Sequence, residues 1–306
     1  MSKKTIAIIG AVNIDICGTA DVQPVLHDSN PGNVNISFGG VGRNIAENLC
    51  HLGFKAEMIT TLAEDDFSRQ IVEAGQKAGI GFSHSMIVPG ASCSTYISVN
   101  SNNKDMLVAI NDMKICDRMT IDFIRSQIDF INSCDMAVCD TNMPANVLRF
   151  LAENCTVPLA VDPVSMIKAL KLQNIIGRFT IIKPNVFESE FMTGIKAEND
   201  LALKQNADFY HSLGVKYVFI SLAEKGSFFS DGEKCGIMPI CSQYPLVNAS
   251  GCGDAFVAAV IWQYLNGGTV EQMAKAGVCA ASVCGNSKDT VCPDINEELL
   301  LKLMKN

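Results

Sequence analysis

The sequence predicts an α/β fold in which a mainly parallel central sheet carries helices on both faces. Three observations predict it. From Ile121 onward, short apolar runs alternate with helix-length stretches. Those short runs are rich in Val and Ile with little polar alternation, which fits strands buried on both sides. Three further strand-like stretches, over 34–38, 94–99 and 106–110, interrupt the rhythm earlier in the chain.

Taken in order, residues 5–10 form an apolar run ending in glycine, the pattern of a buried strand. Asn13 and Asp15 follow it. Open α/β sheets gather ligands at the C-terminal ends of their strands, so these two face a pocket; a solvated loop is the competing reading. Residues 28–32, Asp-Ser-Asn-Pro-Gly, have turn composition. Over 34–38, Val, Ile and Phe alternate with Asn and Ser, which gives that strand one apolar face. A helix is expected over 44–52, then a strand over 56–61 and a helix over 66–78 stopped by Gly79. The strands at 94–99 and 106–110 flank a turn at 100–105. Helix 121–131, strand 136–139, helix 145–153 and strand 159–161 set the regular rhythm. Strand 179–182, helix 186–192, helix 201–213 and strand 217–221 continue it. Residues 226–230 and 233–238 read as a hairpin around Asp231-Gly232. Helices over 255–265, 270–283 and 295–303 close the chain. No repeat or linker divides it, so a single domain over 1–306 is expected.

A chain of 306 residues can bury roughly 75% of its unfolded surface. The net charge is −8 and no basic run exceeds Lys3-Lys4, which argues against nucleic-acid binding. Thirteen cysteines stand singly, many in apolar runs, with no Cys-x-x-Cys pair and no zinc spacing. Reduced cysteines in a cytoplasmic protein are the expectation. The run 6–9 is too short for a signal peptide, and no uncharged apolar stretch approaches the ~18 residues of a membrane span. His27, His51, His84 and His211 are far apart in sequence and read as structural or surface residues.

Residues 248–256, Asn-Ala-Ser-Gly-Cys-Gly-Asp-Ala-Phe, carry the densest chemistry. Gly251, Cys252 and Gly253 let backbone approach a ligand, and the apolar run behind them reads as a buried helix with Asp254 in its first turn. Helix N-termini present free N–H groups to phosphate oxygens. A carboxylate placed there is costly unless it accepts a proton from an attacking hydroxyl. The alternative is an ordinary first-turn Asp behind a glycine turn.

A second stretch, Gly39-Gly40-Val41-Gly42-Arg43-Asn44, opens the helix over 44–52. Together the two resemble the paired signatures of the PfkB, or ribokinase-like, sugar kinase family, and the resemblance runs from Ile6 to about Asp294. The usual family form is Gly-Ala-Gly-Asp; Cys252 replaces an alanine whose backbone N–H is the working part. The resemblance implies a three-layer ribokinase-like fold. The interrupting strands, from about 12–38 and 93–112, would then form a small β lid over the site. It implies ATP as phosphoryl donor, Asp254 as general base, and the N–H groups around Gly251, Cys252 and Gly253 as the hole for the transferring phosphoryl group. Asn13, Asp15, Gly39, Gly40 and Asn44 would hold the sugar.

Lys183-Pro184-Asn185-Val186-Phe187-Glu188 matches the family's Asn-x-x-Glu element. The resemblance puts Lys183 and Asn185 at the nucleotide phosphates and Glu188 at Mg²⁺, which takes few protein carboxylates. A Pro-led helix start with Glu188 in its first turn is the alternative. Ser221 and Gly226 fall on the nucleotide loop, where Ala223 replaces the usual glycine, and Asn286 falls on the opposite adenine wall. K⁺, held by backbone carbonyls near the cradle, is a further candidate. Other phosphate motifs are missing: there is no P-loop, and residues 40–45 lack the third glycine of a dinucleotide fingerprint.

Stretches 28–32, 39–46 and 106–113 resemble the branch of the family that phosphorylates pseudouridine on its 5′-hydroxyl. The polar edge of that base suits the amides and hydroxyls of Ser29, Asn30 and Asn111, with Thr95 also facing it; Ser29-Asn30 equally fits plain turn chemistry. A ribokinase or another nucleoside kinase is the alternative within the family. A non-catalytic nucleoside-binding regulator is the alternative outside it, against which Asp254 and Glu188 argue. The lid strands carry more apolar residues than one face can bury, and Leu107 and Val108 must point to opposite faces. A homodimer contact through the lid is therefore expected.

Overall fold

The structure is a computed structural model that describes residues 3–103 and 105–305. Met1, Ser2 and Asn306 of the expected 1–306 domain lie outside the described residues, as does Lys104 of the expected turn at 100–105. β1 (Thr5–Ile9) leads into β2 (Asn13–Ala20), β3 (Gly32–Gly39) and α1 (Val41–His51). Next come β4 (Lys55–Ile59), β5 (Thr61–Ala63), α2 (Asp66–Lys77), β6 (Ile80–Gly81), β7 (Met86–Val88), β8 (Thr95–Asn100) and β9 (Met106–Asp112). The regular alternation is α3 (Ile121–Ser133), β10 (Met136–Asp140), α4 (Ala145–Asn154), β11 (Leu159–Asp162), α5 (Met166–Ala169), β12 (Ile181–Ile182), α6 (Val186–Thr193), α7 (Asp200–Leu213) and β13 (Tyr217–Ser221). A hairpin, β14 (Ser227–Ser230) and β15 (Cys235–Met238), precedes α8 (Cys252–Leu265), α9 (Val270–Gly285) and α10 (Glu297–Met304).

Nine strands form the central sheet in the order β15-β14-β13-β12-β11-β10-β1-β4-β6, parallel except for the hairpin at one edge. The period of two in β1 shows how the layers form. Ala7 and Ile9 join the core under α3, α4 and α7, while Ile6 and Ile8 join the core under α1, α8 and α9. Each such Ile side chain, fully buried, contributes roughly 1.5–3 kcal/mol. Helix ends follow local chemistry. Asp65 and Thr120 accept N–H bonds at the starts of α2 and α3, and Thr269 with Gln272 forms a capping box on α9.

The element boundaries depart from expectation where backbone geometry intervenes. Gly40, at φ 103°, breaks the chain so that α1 begins at Val41, three residues early. The strand expected over 56–61 ends at Ile59, and Thr61 opens a separate short strand, β5, that pairs with β7. The strand expected over 179–182 shrinks to β12, because a 3₁₀ turn at Ile176–Arg178 delays it. α5, β6 and β7 were not expected; they are too short to show a period.

The interrupting strands form a separate four-stranded sheet, ordered β3-β2-β8-β9, that acts as the lid. Its register sorts its two faces. Ser37, Asp15, Tyr96 and Asn111 stand in one row across it, with Asn35, Cys17, Ser98 and Ala109 in the next row of the same face. The opposite face carries Ile36, Ile16, Ile97 and Ile110, then Val34, Gly18, Val99 and Val108. Its outer residues are exposed in the single chain, with Ile36 at 57% and Ile110 at 63%.

All thirteen cysteines are free of disulfides. No helix among the described residues is long and apolar enough to cross a membrane. His84 stacks on Phe130, and His211 bridges Val215 O and Ser230 Oγ, both structural roles.

Candidate active site

Three sheet strands and two helices converge on Asp254. β10, β11 and β12 end side by side, so Asp140 and Asp162 are register partners at the sheet's C-terminal edge and Lys183 follows one strand over. α1 and α8 pack across this edge with their N-termini toward it. Gly251 caps α8 in the left-handed region at φ 79°, pressed against Thr290 O, where a side chain would collide. The Cys252 N–H makes a long 3.4 Å bond to Ala249 O. Gly251 and Gly253 donate to no carbonyl outside the helix among the described residues. The Cys252 thiol turns back toward Asn248 O at 3.7 Å, so this residue could offer the expected cradle its backbone and not its side chain.

Asp254 is buried at 8% exposure, and Asn44 Nδ2 donates to its Oδ2 at 2.8 Å. Burial, reinforced by the Asp162 carboxylate, pushes its pKa up to about 8 against the bond from Asn44 and the charge of Lys183. Lys183 Nζ lies 3.4 Å from Asp162 Oδ2 and closes on Gly253. Burial alone would lower its pKa, but Asp162, Glu188 and Asp254 outweigh that and hold it above the ordinary lysine value. A fixed ammonium thus sits beside the proposed phosphate cradle.

The residues expected on the sugar side also converge. Asn13 donates to Asp15 Oδ1 at 2.5 Å, and burial raises the Asp15 pKa against that bond and the nearby Arg43. Gly39 backs onto the Asp15 carboxylate, and a Cβ there would overlap it; Gly40 likewise packs on Ala11 O. Asn111 shares the polar lid face with Asp15.

Three expected contacts fall elsewhere. Thr95 pairs with Ile14 on the other lid face, and its Oγ1 bonds Cys93 O at 3.1 Å. Ser29 and Asn30 occupy the exposed loop that follows the last of the eight β2–β3 ladder pairs, at the end of the ladder opposite Asn13. Asn30 spends its amide on Val25 N, Val25 O and Asp28 O, the turn chemistry set against it from the outset.

Asn185 and Glu188 form a capping box: Asn185 Oδ1 accepts from Glu188 N and Glu188 Oε2 from Asn185 N, both at 2.9 Å. This is the helix-start reading, yet it leaves Asn185 Nδ2 and Glu188 Oε1 outside the box. Burial raises the Glu188 pKa against Asn185 N–H and Lys183. Ser221 bridges Asn185 across neighbouring strands. Gly226, at φ 96°, backs onto Met238 O, and Ala223 takes φ 52°, the left-handed conformation a glycine would adopt there. Asn286 is exposed and ties α9 to the preceding loop through Pro245 O at 2.8 Å.

Several residues escaped the sequence reading. Asp140 Oδ2 accepts from Ala11 N at 2.8 Å and Gly42 N at 3.0 Å, so one buried carboxylate joins the end of β1 to the start of α1. Asn142, buried at the end of β10, meets Lys168 Nζ at 2.6 Å. The only sequence signal was polar residues directly after apolar runs, which does not say what they touch. A separate cavity of 690 Å³, lined by residues including Leu170, Arg178, Phe191 and Phe209, contains none of these groups.

The fold and this cluster define a kinase of the sugar and nucleoside class. The pfkB family carbohydrate kinase model matches residues 3–295, and the chain belongs to that family. It is 31% identical over 307 residues to the pseudouridine kinase of Escherichia coli strain K12, covering 99% of this chain and 97% of that one. Among solved structures it resembles a putative sugar kinase from Clostridium perfringens at TM-score 0.88 and 31% identity, covering 99% and 96% of the two chains. It also resembles Arabidopsis thaliana ribokinase complexed with ribose and ATP at TM-score 0.86 and 21% identity over the full length of both, a likeness of fold.

Proposed function

We propose that this protein transfers the γ-phosphoryl group of ATP to the 5′-hydroxyl of pseudouridine. The observation that carries the reading is Asp254 at the head of α8, beside the glycine cradle and the Lys183 ammonium, with its pKa raised into the range of a working base. Asp254 takes the hydroxyl proton as the oxygen attacks. The Gly251–Gly253 N–H groups and Lys183 hold the charge of the transferring group. Asn13, Asp15, Asn44 and the Gly39-Gly40 backbone hold the ribose, and Asn111 faces the base from the polar side of the lid. Asn185 Nδ2 reaches the phosphates, while Ser221, Gly226 and Asn286 frame the nucleotide.

The donor set suits Mg²⁺ held largely through water, because Glu188 keeps one carboxylate oxygen outside its capping box. When bound, the ion offsets phosphate charge. The Thr290 carbonyl packed on Gly251 is the kind of backbone oxygen a K⁺ site would use. The 31% identity to a pseudouridine kinase supports the choice of acceptor. Location in the cytoplasm fits the free thiols. The exposed apolar face of the lid supports a homodimer paired through it.

ATP consumption measured with pseudouridine, uridine, ribose and adenosine in turn tests the reading. Pseudouridine is expected to give the highest kcat/KM. A higher value for ribose or adenosine would reassign the acceptor, and no turnover with any of them would favour a binding protein.

A further inference from the structure

Arg43 lies buried on α1 next to Asn44, the residue that bonds Asp254, yet none of the proposed steps uses it. Its Nη2 meets Glu47 Oε2 at 2.5 Å, one helical turn along. Its Nη1 donates to Phe38 O at 3.0 Å and to Asn44 Oδ1 at 3.2 Å. Its Nε is buried without a hydrogen-bond partner among the described residues. An arginine that leaves a donor unsatisfied in the interior costs stability that a methionine of similar length would not.

The chemistry of the next residue supplies a reason. The Asn44 amide has two unlike ends, an acceptor and a donor, that can exchange places by a half-turn. A guanidinium has only donors, so it admits the carbonyl end and rejects the NH₂ end. With Oδ1 on Arg43, Nδ2 is delivered to Asp254 Oδ2 at 2.8 Å. In the opposite orientation the amide carbonyl would face Asp254, which could meet it only when protonated. Amide orientation and the protonation state of the base are therefore linked.

We propose that Arg43, anchored by Glu47, is a positioning residue that fixes the Asn44 amide with its NH₂ toward Asp254 and so keeps that carboxylate ready to accept a proton. The proposal depends on Asp254 being the base. The charged groups facing Asp254 are Asp140 from β10, Asp162 from β11 and Lys183 after β12, with Glu188 of α6 acting through Lys183. Arg43 itself also faces Asp15 of the lid. All of these except Arg43 stay in place in the variants below.

The test is the pH profile of kcat, at saturating ATP and pseudouridine, for wild type, Arg43→Met, Glu47→Gln and Asp254→Asn. Arg43→Met should move the acid limb up by about one pH unit, roughly tenfold in rate below the limb, and approach the wild-type rate well above it. Glu47→Gln should move it the same way by less, and it decides the matter should Arg43→Met not fold. A loss equal at every pH, with the limb in place, would show Arg43 to be packing alone and would overturn the proposal. Asp254→Asn separates the two readings. If it turns over normally, the base assignment itself fails; if it is inactive while the Arg43→Met and Glu47→Gln limbs stay put, only the role of Arg43 fails.

Discussion

Asp254 is a carboxylate placed where a charge is expensive, and this has two measurable consequences. Its folded pKa of about 8 lies above the ordinary 3.8, so folding favours the protonated form. The associated stability is fully present below the unfolded pKa and is lost as pH rises through about 8. Asp254→Asn should therefore melt higher than wild type above pH 8, while turnover falls ~10²–10⁴-fold. Thermal melts across that range, paired with steady-state rates, check both; normal turnover would remove Asp254 from the role, and an unchanged alkaline melt would contradict its raised pKa. Ala223 offers a second test. Its φ of 52° suits glycine and it is exposed, so Ala223→Gly should stabilise the protein by roughly 1 kcal/mol with no packing loss. At this scale the sequence was readable where partners are neighbours in the chain: glycines, a helix start and an acid occupy 248–256 together. It was silent on Asp140, whose bonds to Ala11 and Gly42 span 129 and 98 residues and exist only once β1, α1 and β10 are assembled.

Elements decide which side chains share a face, and the lid shows how much depends on register. Thr95 and Asn111 both belong to lid strands, yet one residue of parity sends Thr95 to the apolar face and Asn111 to the polar face with Asp15. Composition alone could not separate them. Asn111→Ala should lower kcat/KM for pseudouridine and leave the KM for ATP within about twofold, whereas Thr95→Val should change neither. Equal losses in the two variants would reject this assignment of faces. α6 makes a parallel case. The capping box of Asn185 and Glu188 explains the helix start, so the metal reading requires Glu188 to do two jobs. Glu188→Gln retains an acceptor oxygen for Asn185 N and should keep the helix while raising the Mg²⁺ concentration needed for half-maximal rate. An unchanged Mg²⁺ titration would leave only the cap. The long helices and parallel strands were legible because burial imposes a clear period on them. Short pieces such as α5 and β7 owe their form to neighbours instead.

Of the two larger sheets, the central one carries a helix-covered core on each face and the lid does not. The apolar lid face carries Ile36, Ile97, Ile110, Val34, Val99 and Val108, all exposed in the single chain. Light scattering at micromolar concentration should give twice the 33.0 kDa chain mass, and Ile36→Lys with Ile110→Glu should halve it. A monomer mass for the parent protein would discard the dimer. The fold class was legible because strand–helix alternation is a property of the chain as a whole, whereas acceptor choice turns on one edge of one base. Uridine shares the ribose of pseudouridine but lacks the free N1–H, so a pocket group paired to that N–H would be left unsatisfied, at about 1–3 kcal/mol. The most direct test is a competition: equal pseudouridine and uridine with limiting ATP, the two 5′-phosphates separated by chromatography. Pseudouridine 5′-phosphate should exceed uridine 5′-phosphate by about tenfold or more; equal yields would contradict the assignment.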